Sequence, residues 1–246
     1  MITSIKNEKV KSWKKLHRRK ERLKTNTFLI DGIHLIQEAL KSNWVIQELI
    51  VVEGYELPND AKDVPVAYVS ENVLKEISQT QTPQGVIAVV EMNIPKVQED
   101  NNLIILLDAI QDPGNMGTII RTADAAGVDA VVLGDGCVDI FNDKVIRATQ
   151  GSIFHIPIYT ATLEQEIHML QTQGFTILAT ALHDAVEYTE VSDHNKVGLI
   201  LGNEGAGIAP SILNKANKRI NIPIYGKAES LNVGIAAGIL MYHLKK

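Results

Sequence analysis

The sequence predicts an α/β protein in two parts, with a smaller α/β domain followed by a domain built on a parallel sheet. Three observations support this prediction. Beyond residue 103, nearly continuous apolar strands alternate with helical segments, as expected for strands buried on both faces. Before residue 93, shorter strands and helices alternate. Between them, residues 94–102 include Pro95 and have little to bury, which predicts a linker.

The elements of the first domain, residues 1–93, follow from hydrophobic periodicity and from turn residues. Ser70 is a candidate N-cap for a helix that carries Val73, Leu74 and Ile77. The other predicted elements are a basic helix at about 5–23, a helix at 32–41, and strands at 27–31, 45–52, 65–69 and 85–91.

The second domain, residues 103–246, reads as strands alternating with helices, which is typical of a parallel sheet. The predicted strands are 103–110, 130–133, 175–181, 197–201 and 219–222. The predicted helices are 116–126, 143–150, 163–172, 208–216 and 230–244.

The composition excludes several classes of protein. Cys137 is the one cysteine among 246 residues, so no internal disulfide can form, and a reducing, cytoplasmic location is expected. The longest nearly apolar run, 233–242, is too short for the roughly 20 residues that a membrane span needs, and no secretory signal is expected at the start. The histidines are scattered without the Cys/His spacing of a zinc site, so no metal is expected.

The charge is unevenly distributed along the chain. The net charge is −5, but residues 1–24 contain ten Lys or Arg and only two acidic residues, so this segment carries +8 and the remainder −13. Such a cationic segment indicates a polyanionic partner, and a solvated helix face or a disordered tail is the alternative. Trp13 and Leu16 favour a docked helix. The candidate RNA-binding residues are Lys14, Lys15, Arg18, Arg19, Lys20 and Arg22.

Three loops are candidate parts of one site. The first follows the strand at 103–110, where Pro113 and Gly114 make a turn and a helix is predicted to begin near Asn115. Ligands of open α/β sheets usually bind at such strand-to-helix turns. Arg121 lies within two turns of the same helix, and the alternative is that it only pairs with Asp108 or Asp124.

The other two loops have similar features. The second is rich in glycine and contains one carboxylate, Glu204, whose alternative role is to stabilise the next helix through its charge. The third precedes a helix of small residues, which Glu229 or Ser230 is expected to cap. Capping leaves Asn232 unexplained, because asparagine is a poor former of helix interiors.

In this order and spacing, the loops resemble the three signature motifs of the SpoU/TrmH branch of the SPOUT RNA methyltransferases. The resemblance covers about residues 103–244. The residues that match are Asn115, Gly117 and Arg121, then Gly202, Glu204 and Gly207, then Ser230 to Val233. Residues 28–35, Phe-Leu-Ile-Asp-Gly-Ile-His-Leu, resemble the L30e-like substrate-binding domain of many members. Gly234 departs from the family, since many members have a small hydroxyl residue there.

The resemblance implies a fold and an activity. The fold is a SPOUT domain with a deep trefoil knot, and the assembly is a homodimer. The activity is methyl transfer from S-adenosylmethionine to a ribose 2′-hydroxyl of structured RNA, with 23S-type ribosomal RNA favoured and transfer RNA as the alternative. The implied cofactor-binding residues are Gly202, Ile222 and Leu231. The implied catalytic residues are Arg121, Asn115, Glu204, Ser230 and Asn232. Because a guanidinium is effectively never deprotonated in proteins, we expect Arg121 to bind the target phosphate and not to act as the base, while the other four shape the pocket.

Two other hypotheses have different functions. A nicotinamide-dependent oxidoreductase would suit the strand, turn and helix at 103–126, but Gly114 and Gly117 do not supply the G-x-G-x-x-G spacing. A non-catalytic RNA-binding or ribosome-assembly protein of the same fold would not need the motif side chains, which are all present.

Overall fold

The structure, a computed structural model, describes residues 1–93, 101–191 and 195–245. Contacts divide the chain into two compact units. The first unit is Met1–Asn93 together with Asp139–His155, and the second comprises the remaining described residues. The division by sequence had placed 139–155 in the second domain. The predicted linker, 94–102, lies outside the described residues except for 101 and 102.

The first unit is built on a four-stranded sheet in the order β1-β4-β2-β3. β4 is antiparallel to β1 and β2, and β3 is parallel to β2. Its elements are α1 (Glu8–Lys15), α2 (Arg19–Thr25), β1 (Thr27–Asp31), α3 (Ile33–Leu40), β2 (Ile46–Val52), β3 (Val66–Val69), α4 (Glu71–Ile77) and β4 (Val86–Glu91), with a 3-10 turn at Asn59–Ala61.

The basic segment folds as two helices, so the prediction of one helix over 5–23 is wrong. The carbonyl of Leu16 accepts a hydrogen bond from Nη1 of Arg22 at 2.8 Å instead of from a helical N–H. Arg18 is extended, and the chain restarts as α2. The prediction that this segment docks on the body is confirmed, since Trp13 and Leu16 are buried.

The second unit is built on a seven-stranded sheet in the order β7-β6-β5-β10-β8-β11-β9, and all the paired strands are parallel. The remaining elements are β5 (Leu103–Leu107), α5 (Pro113–Ala125), β6 (Ala130–Leu133), α6 (Asp143–Thr149), β7 (Ile158–Thr160), α7 (Leu163–Thr172), β8 (Thr176–Thr180), β9 (Val186–Glu187), β10 (Val197–Leu201), α8 (Pro210–Leu213), β11 (Lys218–Asn221) and α9 (Val233–Leu244), with 3-10 turns at Ser152–Phe154 and Tyr188–Glu190. Every residue of β5, β6 and β10 is buried, as predicted for strands covered on both faces.

The α6 segment interrupts the second unit. Residues 139–155 leave the sheet between β6 and β7 and pack with the first unit. There, the ring of Phe141 lies 4.7 Å from that of Phe28, and the ring of Phe154 lies 5.4 Å from that of Trp44, measured between centroids. These aromatic contacts give the segment an apolar anchor in the first unit.

Candidate active site

The first motif loop joins β5 to α5. β5 ends at Leu107, short of the predicted 110, because Ala109 has a left-handed backbone with φ of 53°. α5 begins at Pro113, ahead of the predicted start. Asp112 is its N-cap, since its Oδ1 accepts from the backbone N–H of Asn115 at 2.7 Å. The cap holds Asn115 in the first turn of α5.

The second motif loop follows β10 and is a tight turn. Asn203 and Gly207 exchange two backbone hydrogen bonds, each of 3.0 Å, which close the loop. Gly202 is buried, and a Cβ there would lie 2.4 Å from the backbone carbon of Gly207. Only glycine fits at this close approach. Glu204 is therefore presented, exposed, at the start of the turn.

The third motif loop ends at α9, and Asn232 is the helix cap. Its Oδ1 accepts from the backbone N–H groups of Gly234 at 2.9 Å and Ile235 at 3.3 Å. The prediction of a cap at Glu229 or Ser230 is therefore wrong. The cap also explains Asn232, because asparagine is a favoured residue at this position although it is a poor one inside a helix.

Three motif side chains form one hydrogen-bonded chain. Nδ2 of Asn115 donates to Oε1 of Glu204 at 3.0 Å, and Nδ2 of Asn232 donates to Oδ1 of Asn115 at 2.9 Å. The backbone N–H of Asp112 also donates to Oε1 of Glu204, at 3.4 Å. Both ends of the Asn115 amide are thus occupied, which fixes its orientation. The three loops meet at this side chain.

Arg121 and Ser230 lie near this chain in sequence but do not join it. Arg121 is exposed, and within the described part of the protein its guanidinium makes no hydrogen bond or ion pair. It does not pair with Asp108 or Asp124, the alternative left open by the sequence. Ser230 is exposed two residues before Asn232. Both side chains are available to a ligand.

The residues expected to hold the cofactor lie in the second and third loops. Gly202 is buried, Ile222 is half-buried and Leu231 is partly exposed. Beside them, a Cβ placed on Gly207 or Gly226 would meet nothing within 4 Å, so the backbone there is open to a ligand. Apolar side chains beside accessible backbone fit S-adenosylmethionine, which offers an adenine ring and polar groups.

The basic segment places its cations in different environments. Lys15, Arg18 and Lys20 are exposed. Arg19 is exposed, and its Nε lies 3.8 Å from Oδ2 of Asp139. Lys14 forms an ion pair with Glu76. Arg22 differs, because it is buried and its Nη2 donates to Asp139 at 2.6 Å. Its guanidinium serves the packing of the first unit and is not presented to a partner.

Two residues that shape the site, Asp112 and Asn203, were not among the predicted site residues. The signal for Asp112 was present, since an aspartate before Pro113 is a typical start for a helix. Asn203 gave no comparable signal, because its hydrogen bonds depend on how two loops meet in space.

The described residues contain neither a membrane span nor a metal site. No helix among them is long and apolar enough to cross a membrane. No group of His, Cys, Asp and Glu in residues 1–93, 101–191 and 195–245 is arranged to hold a metal ion.

Comparison with family models gives two matches. Residues 102–242 match the SpoU rRNA Methylase family, and residues 7–88 match an MRM3-like substrate binding domain. The first match contains all three motif loops, and the second contains β1, β2, β3 and the beginning of β4 of the first unit.

Full-length relatives agree with these matches. The chain is 48% identical to the 23S rRNA (guanosine(2553)-2′-O)-methyltransferase RlmP of Bacillus subtilis, over 99% of this chain and 98% of that protein. It is 31% identical to an uncharacterized tRNA/rRNA methyltransferase of Synechocystis, over 100% of this chain and 93% of that protein.

Solved structures have the same fold. An AdoMet-bound rRNA methyltransferase from Sinorhizobium meliloti has a TM-score of 0.90 and 33% identity, covering 99% of this chain and 96% of that one. The SpoU methyltransferase AviRb from Streptomyces viridochromogenes, in complex with AdoMet, has a TM-score of 0.87 and 26% identity, covering 98% and 97%. These likenesses extend over both units.

Proposed function

The chain belongs to the SpoU rRNA methylase family and is an S-adenosylmethionine-dependent RNA ribose 2′-O-methyltransferase, and we propose that its substrate is a guanosine of 23S-type ribosomal RNA. The full-length identity of 48% to a relative named for that reaction supports the choice of RNA and of nucleoside. The L30e-like nature of the first domain, as read from the sequence, favours ribosomal RNA as well. The family assignment removes the support for the nicotinamide alternative.

The observation that carries the proposal is the hydrogen-bonded chain through Asn115, Glu204 and Asn232. It brings the three motif loops to one point, as a single pocket requires. Gly202, Ile222 and Leu231 would hold the cofactor, which supplies a methyl group already activated by a sulfonium. The protein's task is then to align the ribose oxygen with that carbon and to exclude water.

Arg121 binds the phosphate next to the target ribose. A guanidinium keeps its charge in proteins, so it acts as a donor of charge-assisted hydrogen bonds and not as a base. Its side chain is exposed and makes no ion pair with a described residue, so binding a phosphate breaks no internal contact. Ser230, exposed in the third loop two residues before Asn232, adds a hydroxyl to the proposed pocket.

The first unit holds the RNA through its exposed cations. Lys15, Arg18 and Lys20 present their charges to solvent, so they can release counterions from phosphates. Lys14 and Arg19 are partly engaged by acidic neighbours. Arg22 is left out of this set because it is buried.

The functional form is a homodimer of the cytoplasm, in which the knotted fold of the family is kept. α9 presents an exposed apolar stripe at helical spacing, formed by Ile235, Ile239 and Tyr242. A contiguous exposed apolar stripe is typical of an interface. Ribosomal RNA as substrate and a lone, half-buried Cys137 support the cytoplasm.

The test is transfer of tritiated methyl to 23S rRNA, to large ribosomal subunits and to transfer RNA, each from cells that lack this protein. We expect incorporation into the ribosomal substrates only, and none into a fragment whose target guanosine is a 2′-deoxynucleotide. Arg121→Ala is expected to lower kcat/KM at least 100-fold, whereas Lys215→Ala, which removes an exposed cation outside the three loops, is expected to be neutral. Methylation of transfer RNA alone would overturn the choice of RNA, and full activity of Arg121→Ala would overturn the role of that residue.

A further inference from the structure

Asn203 uses both ends of its side chain at the point where the first and second motif loops meet. Its Oδ1 accepts from the backbone N–H groups of Gly205 and Ala206, both at 2.9 Å. Its Nδ2 donates to the backbone carbonyl of Ala109 at 2.8 Å. The first pair of bonds shapes the turn that carries Glu204, and the third bond ties that turn to the loop between β5 and α5.

The residue that receives this tie has an unusual backbone. Ala109 has φ of 53°, a left-handed conformation that costs an L-residue free energy and persists only where the surroundings hold it. Asp108, which is buried, holds the same segment from the other side. Its backbone N–H donates to Leu201 at 2.9 Å, and its Oδ2 accepts from the N–H of Ala209 at 2.7 Å.

The position of Glu204 depends on this junction. Its hydrogen-bond donors, the N–H of Asp112 and Nδ2 of Asn115, both belong to the first loop, whereas Glu204 itself belongs to the second. The Glu204 side chain is exposed, so packing alone does not fix it. A shift between the two loops would therefore separate Glu204 from Asn115 directly.

We propose that Asn203 is a positioning residue, which sets Glu204 against Asn115 by tying the second motif loop to the carbonyl of Ala109. This inference rests on the proposed role of Glu204 in the pocket. Asn203 itself need not touch RNA or cofactor. Its contribution comes from the Nδ2 donor, separately from the part that Oδ1 plays in the turn.

Asn203→Asp separates these two parts. The carboxylate still accepts from Gly205 and Ala206, but an oxygen replaces the donor and faces the carbonyl of Ala109. The expected result is a roughly 10- to 100-fold fall in kcat, since small misplacements of reacting groups cost that much, with the KM for RNA close to wild type and a melting temperature that is lower by only a few degrees, because one partly buried hydrogen bond is lost. Asn217→Asp is the matched control, because the Oδ1 of Asn217 accepts from Ile177 and Gln171 and no hydrogen bond from its Nδ2 to a described residue is lost. Wild-type kcat in Asn203→Asp, or an equal fall in Asn217→Asp, would overturn the proposal.

A double-mutant cycle with alanine tests whether Asn203 acts through Glu204. Unlike Asn203→Asp, the alanine variants introduce no new charge. Asn203→Ala and Glu204→Ala are each expected to lower kcat, and the double variant is expected to be no slower than Glu204→Ala alone. Losses that add in the double variant would show that Asn203 acts on something else and would overturn this inference while leaving Glu204 in place. Wild-type kcat in Glu204→Ala would instead overturn the proposed role of Glu204.

Discussion

The side-chain amide of Asn232 donates to Oδ1 of Asn115 at 2.9 Å, while its own carbonyl oxygen caps α9. One side chain therefore stabilises a helix with one end and orients a motif residue with the other. Because the two bonds leave from different atoms, substitutions can remove them separately.

Asn232→Ser is expected to keep the helix cap and to lose the site contact. Serine caps helices about as well as asparagine, but it is too short to replace Nδ2. The free energy of unfolding should change by less than about 0.5 kcal/mol, and kcat should fall by about tenfold, the worth of one hydrogen bond. Asn232→Ala, which also removes the cap, should lose about a further 1 kcal/mol of stability in urea denaturation. Equal stability of the two variants would contradict the capping role.

Asn115→Asp is expected to be more harmful than Asn115→Ala. The aspartate keeps an acceptor for Asn232 but places a carboxylate against that of Glu204, and like charges at hydrogen-bond distance repel. Single-turnover methyl transfer should be slower in Asn115→Asp than in Asn115→Ala. Restoration of Asn115→Asp by Glu204→Gln would confirm the cause, since the amide can donate to the new carboxylate.

The cations of the basic segment are expected to divide into two groups. Arg22→Ala removes a buried partner of Asp139 and should cost about 3 kcal/mol of stability. Arg18→Ala and Lys20→Ala should leave the melting temperature unchanged, weaken RNA binding, and each reduce the slope of log Kd against log salt by about 1. Filter binding across a salt series checks this, and unchanged slopes would remove these residues from the RNA surface.

The apolar stripe on α9 predicts that a charge there dissociates the proposed dimer. Ile235→Lys places an ammonium in the stripe, and the expected mass in light scattering is that of a monomer with low activity. Met169→Lys, at another exposed apolar residue on α7, is the control and should stay dimeric. If Ile235→Lys stays dimeric, the interface is not formed by this stripe.

Asp31 predicts a pH dependence of the stability of the first unit. Burial raises the pKa of its carboxyl above 3.8, against the opposing hydrogen bonds from Ser78 and Thr80. The folded state therefore binds the proton more tightly than the unfolded state, and the stability that this provides is lost as the pH rises through the raised pKa. The stability of Asp31→Asn relative to wild type should therefore increase from pH 4 to pH 7, as measured by thermal unfolding at both pH values. A constant difference would contradict the direction of the shift.

The sequence predicted well wherever a pattern is local. The predicted bounds agree with the structure for the buried strands 130–133 and 197–201 and for the helix 163–172. Apolar runs and helical periodicity depend only on residues that are close together in the sequence. The edge strands β7 and β9 were missed, since two or three residues carry no period. The break in the basic segment was missed because it depends on Arg22 reaching back to Leu16.

The candidate site divides in the same way. Motif spacing identified Asn115, Glu204 and Asn232, and the structure joins them. The cap at Asn232 was misplaced by two residues because Ser230 also suits that position. Asn203 could not be found, because its partner Ala109 is 94 residues away in the chain.

The first unit is discontinuous, since residues 139–155 complete it. A fragment ending at residue 93 would lack Phe141 and Phe154, and it would leave Arg22 buried without its carboxylate. During synthesis, this unit cannot reach its final packing until about sixty further residues, including two strands of the other sheet, have left the ribosome. Truncation after residue 93 is therefore not enough to obtain the first unit as a stable module. Residues 139–155 must also be joined to the amino-terminal segment.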